Sequence, residues 1–176
     1  AGGSHTYIGG NTFSGVSEFN IDTLGTGYTH HLVQVKYYPS ANDGNNLYCR
    51  LRNSGSTLTD SKYNYYALRG NSSSTTNQIA GEASDKFQVS ANGSRSDSYQ
   101  WIEVEFTSLL DTGTYDYPHA FFRCSGVNHD GANRENFVSG GCFYANHNTT
   151  ALSGIDFVDS TSGTITGAYK IWGRTA

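Results

Sequence analysis

Gly154-Ile155-Asp156-Phe157-Val158-Asp159, followed by Gly163-Thr164-Ile165-Thr166-Gly167-Ala168-Tyr169-Lys170-Ile171-Trp172-Gly173, decides the fold class. Successive side chains of a strand point to opposite faces, so Ile155 and Phe157 share one side and Asp156 takes the other. Tyr169 and Ile171 alternate with Lys170 and Trp172 in the same way. Between the runs, Ser160-Thr161-Ser162-Gly163 carries turn chemistry: hydroxyls that bond their own backbone, and a glycine free to take positive φ. This period of two predicts a half-buried β-hairpin. A closing strand so regular needs earlier strands to pair with.

The chain supplies them. His31 to Tyr38 places Val33, Val35 and Tyr37 on one face, and Pro39, which lacks a ladder donor, ends the run. Leu47 to Arg52 returns with Leu47, Cys49 and Leu51 inward and Tyr48, Arg50 and Arg52 outward. The Asp43-Gly44 turn between them predicts a hairpin. Tyr63–Leu68, Phe87–Val89, His119–Ser125 and Gly141–Ala145 read as further strands. Tyr99 to Phe106 alternates, with Ile102, Val104 and Phe106 on one face and Glu103 and Glu105 on the other. About nine or ten short strands in one chain, with no helical period, fit an all-β fold of the jelly-roll-like antiparallel β-sandwich type. The 21 glycines and only 2 prolines among 176 residues fit the many tight turns such a fold needs.

One domain is expected over residues 13–176, since a chain of this size buries a core without disulfide staples. Residues 1–12 read as a flexible Gly-rich amino-terminal arm. Ala1 to Gly10 holds four glycines, and its sizeable apolar side chains are Tyr7 and Ile8. Ordering each residue costs roughly 1–2 kcal/mol of backbone entropy, more than those two side chains recover. The arm is therefore expected to be held by contacts outside its own domain, with Tyr7 or Ile8 in a neighbour's pocket.

Little in the sequence points to chemistry. Cys49, Cys124 and Cys142 sit among apolar neighbours and read as small buried hydrophobes, with a Cys124–Cys142 disulfide left open. No CxxC spacing suggests zinc. Neither G-x-S-x-G, H-E-x-x-H nor a P-loop occurs. His129 beside Asp130 reads as a solvated loop, as does the Asn42–Asn46 turn. His30-His31 and Asn146-His147-Asn148 hold metal-ligating side chains with nothing to say that they meet. No catalytic residue, cofactor or metal is assigned. A net charge of -4 with scattered Lys and Arg weighs against nucleic-acid binding. No apolar run is long enough to span a bilayer. The 13 tyrosines and 9 phenylalanines exceed what inward faces need. Tyr48, Tyr99, Trp101, Tyr115, Tyr117 and Trp172 are the candidates for outward positions, as protein-interface or sugar-stacking rings.

The closing G-I-x-F strand and its terminal G-T-I-T-G-A-Y-K-I-W-G, read with Tyr37-Tyr38-Pro39-Ser40, Leu47–Arg52 and Tyr63–Tyr66, resemble small tailed-bacteriophage structural proteins of the jelly-roll type. Those serve as capsid decoration (cement) proteins, head fibres or tail-fibre tips. The resemblance implies a non-enzymatic virion protein on the capsid surface, assembled in the host cytoplasm, that binds the major capsid or another virion protein as a homotrimer. Tyr7, Ile8, Tyr115, Tyr117 and Trp172 are its expected partner contacts. The alternative is a receptor-binding head that takes a host-surface glycan, with Tyr115 and Tyr117 at its tip. A polysaccharide depolymerase using Glu103 and Glu105 is the lesser alternative.

Overall fold

The computed structural model describes residues 4–40, 46–71, 77–90, 96–110, 117–127, 135–145, 152–160 and 163–175. They form β1 (Thr6–Val16), β2 (Glu18–Ile21), β3 (His30–Pro39), β4 (Leu47–Asn53), β5 (Ser56–Thr57), β6 (Tyr63–Asn71), β7 (Asn77–Ser84), β8 (Phe87–Gln88), β9 (Gln100–Thr107), β10 (His119–Val127), β11 (Glu135–Tyr144), β12 (Gly154–Asp159) and β13 (Ile165–Arg174). An eight-stranded sheet runs β1-β13-β3-β9-β10-β11-β6-β7. A smaller one runs β2-β12-β4-β5, with β8 paired to β4. All pairings are antiparallel. The fold is an all-β, jelly-roll-like sandwich.

The inner faces are those the alternation marks. Val33, Val35, Ile102, Val104, Ile155 and Phe157 are fully buried, as are Tyr37, Cys49, Phe106 and Ile171 to within a few per cent. A row of rings ties the sheets together. Phe19 of β2 stacks on Phe13 of β1 at 4.1 Å, on Phe157 of β12 at 5.0 Å and on Tyr169 of β13 at 5.7 Å. Tyr63 of β6 reaches across the layers. Its hydroxyl donates to Leu58 O (3.0 Å) and accepts from Leu51 N–H (2.8 Å), so a buried phenol leaves no polar atom unmet.

Two expectations change. Residues 6–12 are not a free arm: they belong to β1, which pairs with β13 from Thr6↔Gly173 to Val16↔Ile165. The ladder supplies the hydrogen bonds that Tyr7 and Ile8 alone do not. Phe13 anchors it, with its ring against Gly167, where a Cβ would lie 2.9 Å from the ring. Ile8 packs on the chain's own core, not in a neighbour's pocket. Second, β12 and β13 are not a hairpin: β12 lies in the small sheet between β2 and β4, β13 in the large one between β1 and β3. The same holds for β3 and β4. Period two gives each strand an apolar face but not its neighbour. These apolar faces meet across the core, and the two strands of each of these pairs lie in opposite sheets. The cysteines, by contrast, are all free and buried, as their apolar neighbours suggest, and the open Cys124–Cys142 pairing is not made.

His31 is fully buried on the inner side of β3, away from His30, so the two do not share a ligand. Tyr28 closes over it with ring centroids 6.2 Å apart, lying across Gly173, where a Cβ would meet the Tyr28 ring at 2.3 Å. Neither ring nitrogen has a well-aligned partner among the described residues, and burial pushes the imidazole pKa below 6.5 despite nearby backbone of Leu24 and Gly25. Below that pH the unfolded chain takes a proton that the native one refuses. Stability therefore drops as pH falls below about 6.5, by at most ~1.4 kcal/mol per pH unit for one such site. Urea titrations between about pH 7 and pH 5 should show this slope, and His31→Leu should remove that component. Parallel profiles for the two proteins would contradict the assignment.

Candidate functional site

The outer face of the large sheet carries the exposed rings. Phe121 of β10 is 63% exposed, Phe137 of β11 50%, Tyr66 of β6 49% and Phe143 of β11 42%. Leu68 of β6 and Trp101 of β9 are similarly open. The register puts one lateral row across all eight strands: Tyr7, Trp172, Leu32, Glu105, Phe121, Gly141, Tyr66 and Ala80. Gly141 is the gap in it. With no side chain there, Phe121 and Tyr66 wall an open depression of about 830 Å³, with Phe143 and Ala80 also lining it.

Polar groups rim this depression. His119 sits beside Phe143 on the neighbouring strand, ring centroids 6.3 Å apart. Asn64 Oδ1 accepts from the Ala83 N–H at 3.0 Å. Ala83 has a φ of 48°, at the irregularity between the Tyr65↔Gly81 and Tyr63↔Ser84 pairs. That bend of the edge strand brings Glu82 to the rim. Beneath, Tyr65 lies against Gly81, where a Cβ would meet its ring at 2.2 Å, so β7 is held close to β6.

A second depression, of about 400 Å³, adjoins the first and shares Phe121. Its polar lining is an ion-pair lattice. Glu103 is bonded by Arg123 directly opposite on β10 and by Gln34 Nε2 at 2.6 Å. Arg174 reaches Glu105 at 3.2 Å. The two carboxylates thus lie on one face, as their spacing predicts, but each is held by its own cation.

The candidate contacts fall into place unevenly. Tyr7 and Trp172 meet edge to face at 5.8 Å and stand at the far end of the same lateral row. Ile8 faces the core. Tyr117 is half-buried ahead of β10, and Tyr115 lies outside the described residues, so the proposed Tyr115–Tyr117 tip does too. His129, Asp130 and His147 also lie outside them. Tyr99 and Trp101 are exposed as expected, Tyr99 under the Lys36 ammonium at 3.9 Å; Tyr48 is half-buried. Among the described residues no cluster of three or more His, Cys, Asp or Glu is placed to hold a metal ion.

Phe121, Tyr66 and Phe143 escaped the sequence reading, although a signal was present. Each belongs to an aromatic doublet: Phe121-Phe122, Tyr65-Tyr66 and Phe143-Tyr144. In a strand a doublet sends one ring in and one out. Phe122 and Tyr144 are buried at 3% and 2%, and their neighbours are the platform.

No protein-family model matches the chain, and no curated protein does. Solved structures resemble it distantly. A GH43 glycoside hydrolase engineered to show both endo-xylanase and exo-arabinofuranosidase activity aligns with a TM-score of 0.42 and 12% identity, over 84% of this chain and 30% of that one. The CBM40 of the Ruminococcus gnavus IT-sialidase, bound to α2,3-sialyllactose, aligns with a TM-score of 0.31 and 6% identity, over 94% and 92%. Scytalido-glutamic peptidase aligns with a TM-score of 0.31 and 15% identity, over 85% and 66%. Likenesses this distant carry no argument about ligand or activity.

Proposed function

We propose that this chain is a non-enzymatic glycan-recognition protein, and that its site is the depression walled by Phe121, Tyr66 and Phe143. The observation that carries this is the set of exposed rings around the Gly141 gap, rimmed by His119, Asn64 and Glu82. An aromatic face stacks on the apolar face of a sugar ring, and a few placed polar groups then fix its hydroxyls. Rings predominate on this surface over aliphatic side chains, which suits stacking better than general apolar docking. In the virion setting implied by the closing-strand resemblance, this is the role of a receptor-binding protein on the particle surface. That ranks host-surface glycan above the capsid as partner, reversing the order taken from the sequence.

Gly141 offers the test. A Cβ there meets nothing closer than 3.4 Å and the backbone φ is ordinary, so a side chain adds no strain and fills the floor. On a glycan array and by calorimetry, the wild type should bind. Gly141→Leu should keep its far-UV spectrum and melting temperature while losing about tenfold or more in affinity, which is about 1.4 kcal/mol. Equal binding by the variant would remove the site.

A second reading has one observation of its own. The apolar surface continues beyond the depression to Leu68, Phe137 and Trp101, a breadth that suits a protein partner. Decoration of a capsid as a homotrimer would use this face. Co-sedimentation with assembled capsids, together with an empty glycan array, would favour it.

A further inference from the structure

Resting on the glycan reading, we infer that the ligand is an extended, uncharged saccharide chain lying across the strands, over Phe121 and into the ion-pair depression. Two observations carry this. The depressions share Phe121 and follow one lateral row, from Leu32 on β3 to Ala80 on β7. Five strand spacings make that row roughly 24 Å long, the reach of an oligosaccharide and well beyond a single sugar. Neither depression is an enclosed pit that would select a chain end; both lie open along the sheet.

The charges select against an acidic chain. Glu82 rims the first depression, and Glu103, Glu105 and Arg123 line the second. Uronates or sialic acids would meet three carboxylates against two guanidiniums, Arg123 and Arg174, each already engaged by a glutamate of the second depression. Neutral hydroxyls, by contrast, find both donors and acceptors on these held side chains. Phe121 is the shared stacking ring, and Arg123 is a donor out of reach of a ligand confined to the first depression.

The test is calorimetry of the whole chain against linear gluco-, galacto-, manno- and xylo-oligosaccharides, from monosaccharide to hexasaccharide, with oligouronates of matching length. Affinity for a neutral series should rise by about tenfold or more beyond the disaccharide. Arg123→Ala should bring the hexasaccharide back to disaccharide affinity and leave the disaccharide unchanged. Its exposed ion pair contributes little to folding. Affinity already complete with one sugar, insensitivity to Arg123→Ala, or tighter oligouronate binding would overturn the extended neutral chain while leaving the glycan site standing. No binding of any member, with an empty array, would overturn both.

Discussion

Arg50→Ala is expected to destabilise the protein by about 3–5 kcal/mol at neutral pH, because it strips the counterion from a buried carboxylate. Asp156 lies mid-strand in β12 with its side chain fully buried, although its face of the small sheet points away from the core. Arg50, its direct neighbour on β4, lies over it, donating from Nε at 2.6 Å and from a terminal nitrogen. The same guanidinium reaches Glu18 of β2 at 3.1 Å, so one cation spans three strands. The second carboxylate oxygen of Asp156 accepts no hydrogen bond among the described residues. Burial already pushes this carboxyl above its usual range, with Arg50 opposing that rise. Without Arg50 the pKa climbs further and the residue protonates to escape the charge. A raised carboxyl contributes stability at low pH that disappears as pH rises through its folded value. The deficit of Arg50→Ala should therefore shrink as the solution is acidified. Asp156→Asn should cost less, since it leaves Arg50 with Glu18. Urea unfolding at two pH values checks both; a deficit that does not depend on pH would exclude this origin.

Phe19→Ala should cost about 3–5 kcal/mol, the range for removing a large buried ring. Phe19 is 7% exposed and stacks on three other rings from three strands, two of them in the opposite sheet. Rigid strands on both sides limit how far the gap collapses. Phe19→Leu should recover a good part of the loss by refilling volume. Equilibrium denaturation reads both, and a loss under about 1 kcal/mol would mean that the stack relaxes freely.

These two residues also show how far the sequence is readable. Phe19 and Ile21 announce their shared face through spacing alone, and so do Val33, Val35, Ile102, Val104, Ile155 and Phe157. Alternation places Asp156 on the opposite face, but says nothing of its burial there. That burial depends on Arg50, distant in sequence and brought alongside by pairing. The site was hidden for the same reason. Phe121, Gly141 and Tyr66 are unremarkable one at a time, and they become a site only when β10, β11 and β6 lie side by side in that register. Sheet membership failed most plainly. Turn residues after Pro39 and Asp159 promised hairpins, yet a short polar connection serves equally for an arch between layers. Sequence marks Tyr7 as an arm anchor and Trp172 as an outward ring, for unrelated reasons. Neighbouring strands then put them in contact.

The position of β13 bears on how the molecule is made. Ile165 pairs with Pro39 on one side and Val16 on the other, so the last strand inserts between two of the first. On a ribosome, β1 and β3 emerge long before the strand that must separate them. Until it arrives, each offers an unpaired edge, and joining them directly would be a misfolded state. Contacts of such long sequence separation carry a large loop-closure cost and fold slowly. The waiting edges are also the surfaces on which partly made β-proteins associate. Synthesis of this chain should therefore be sensitive to crowding and temperature out of proportion to the stability of the finished sandwich.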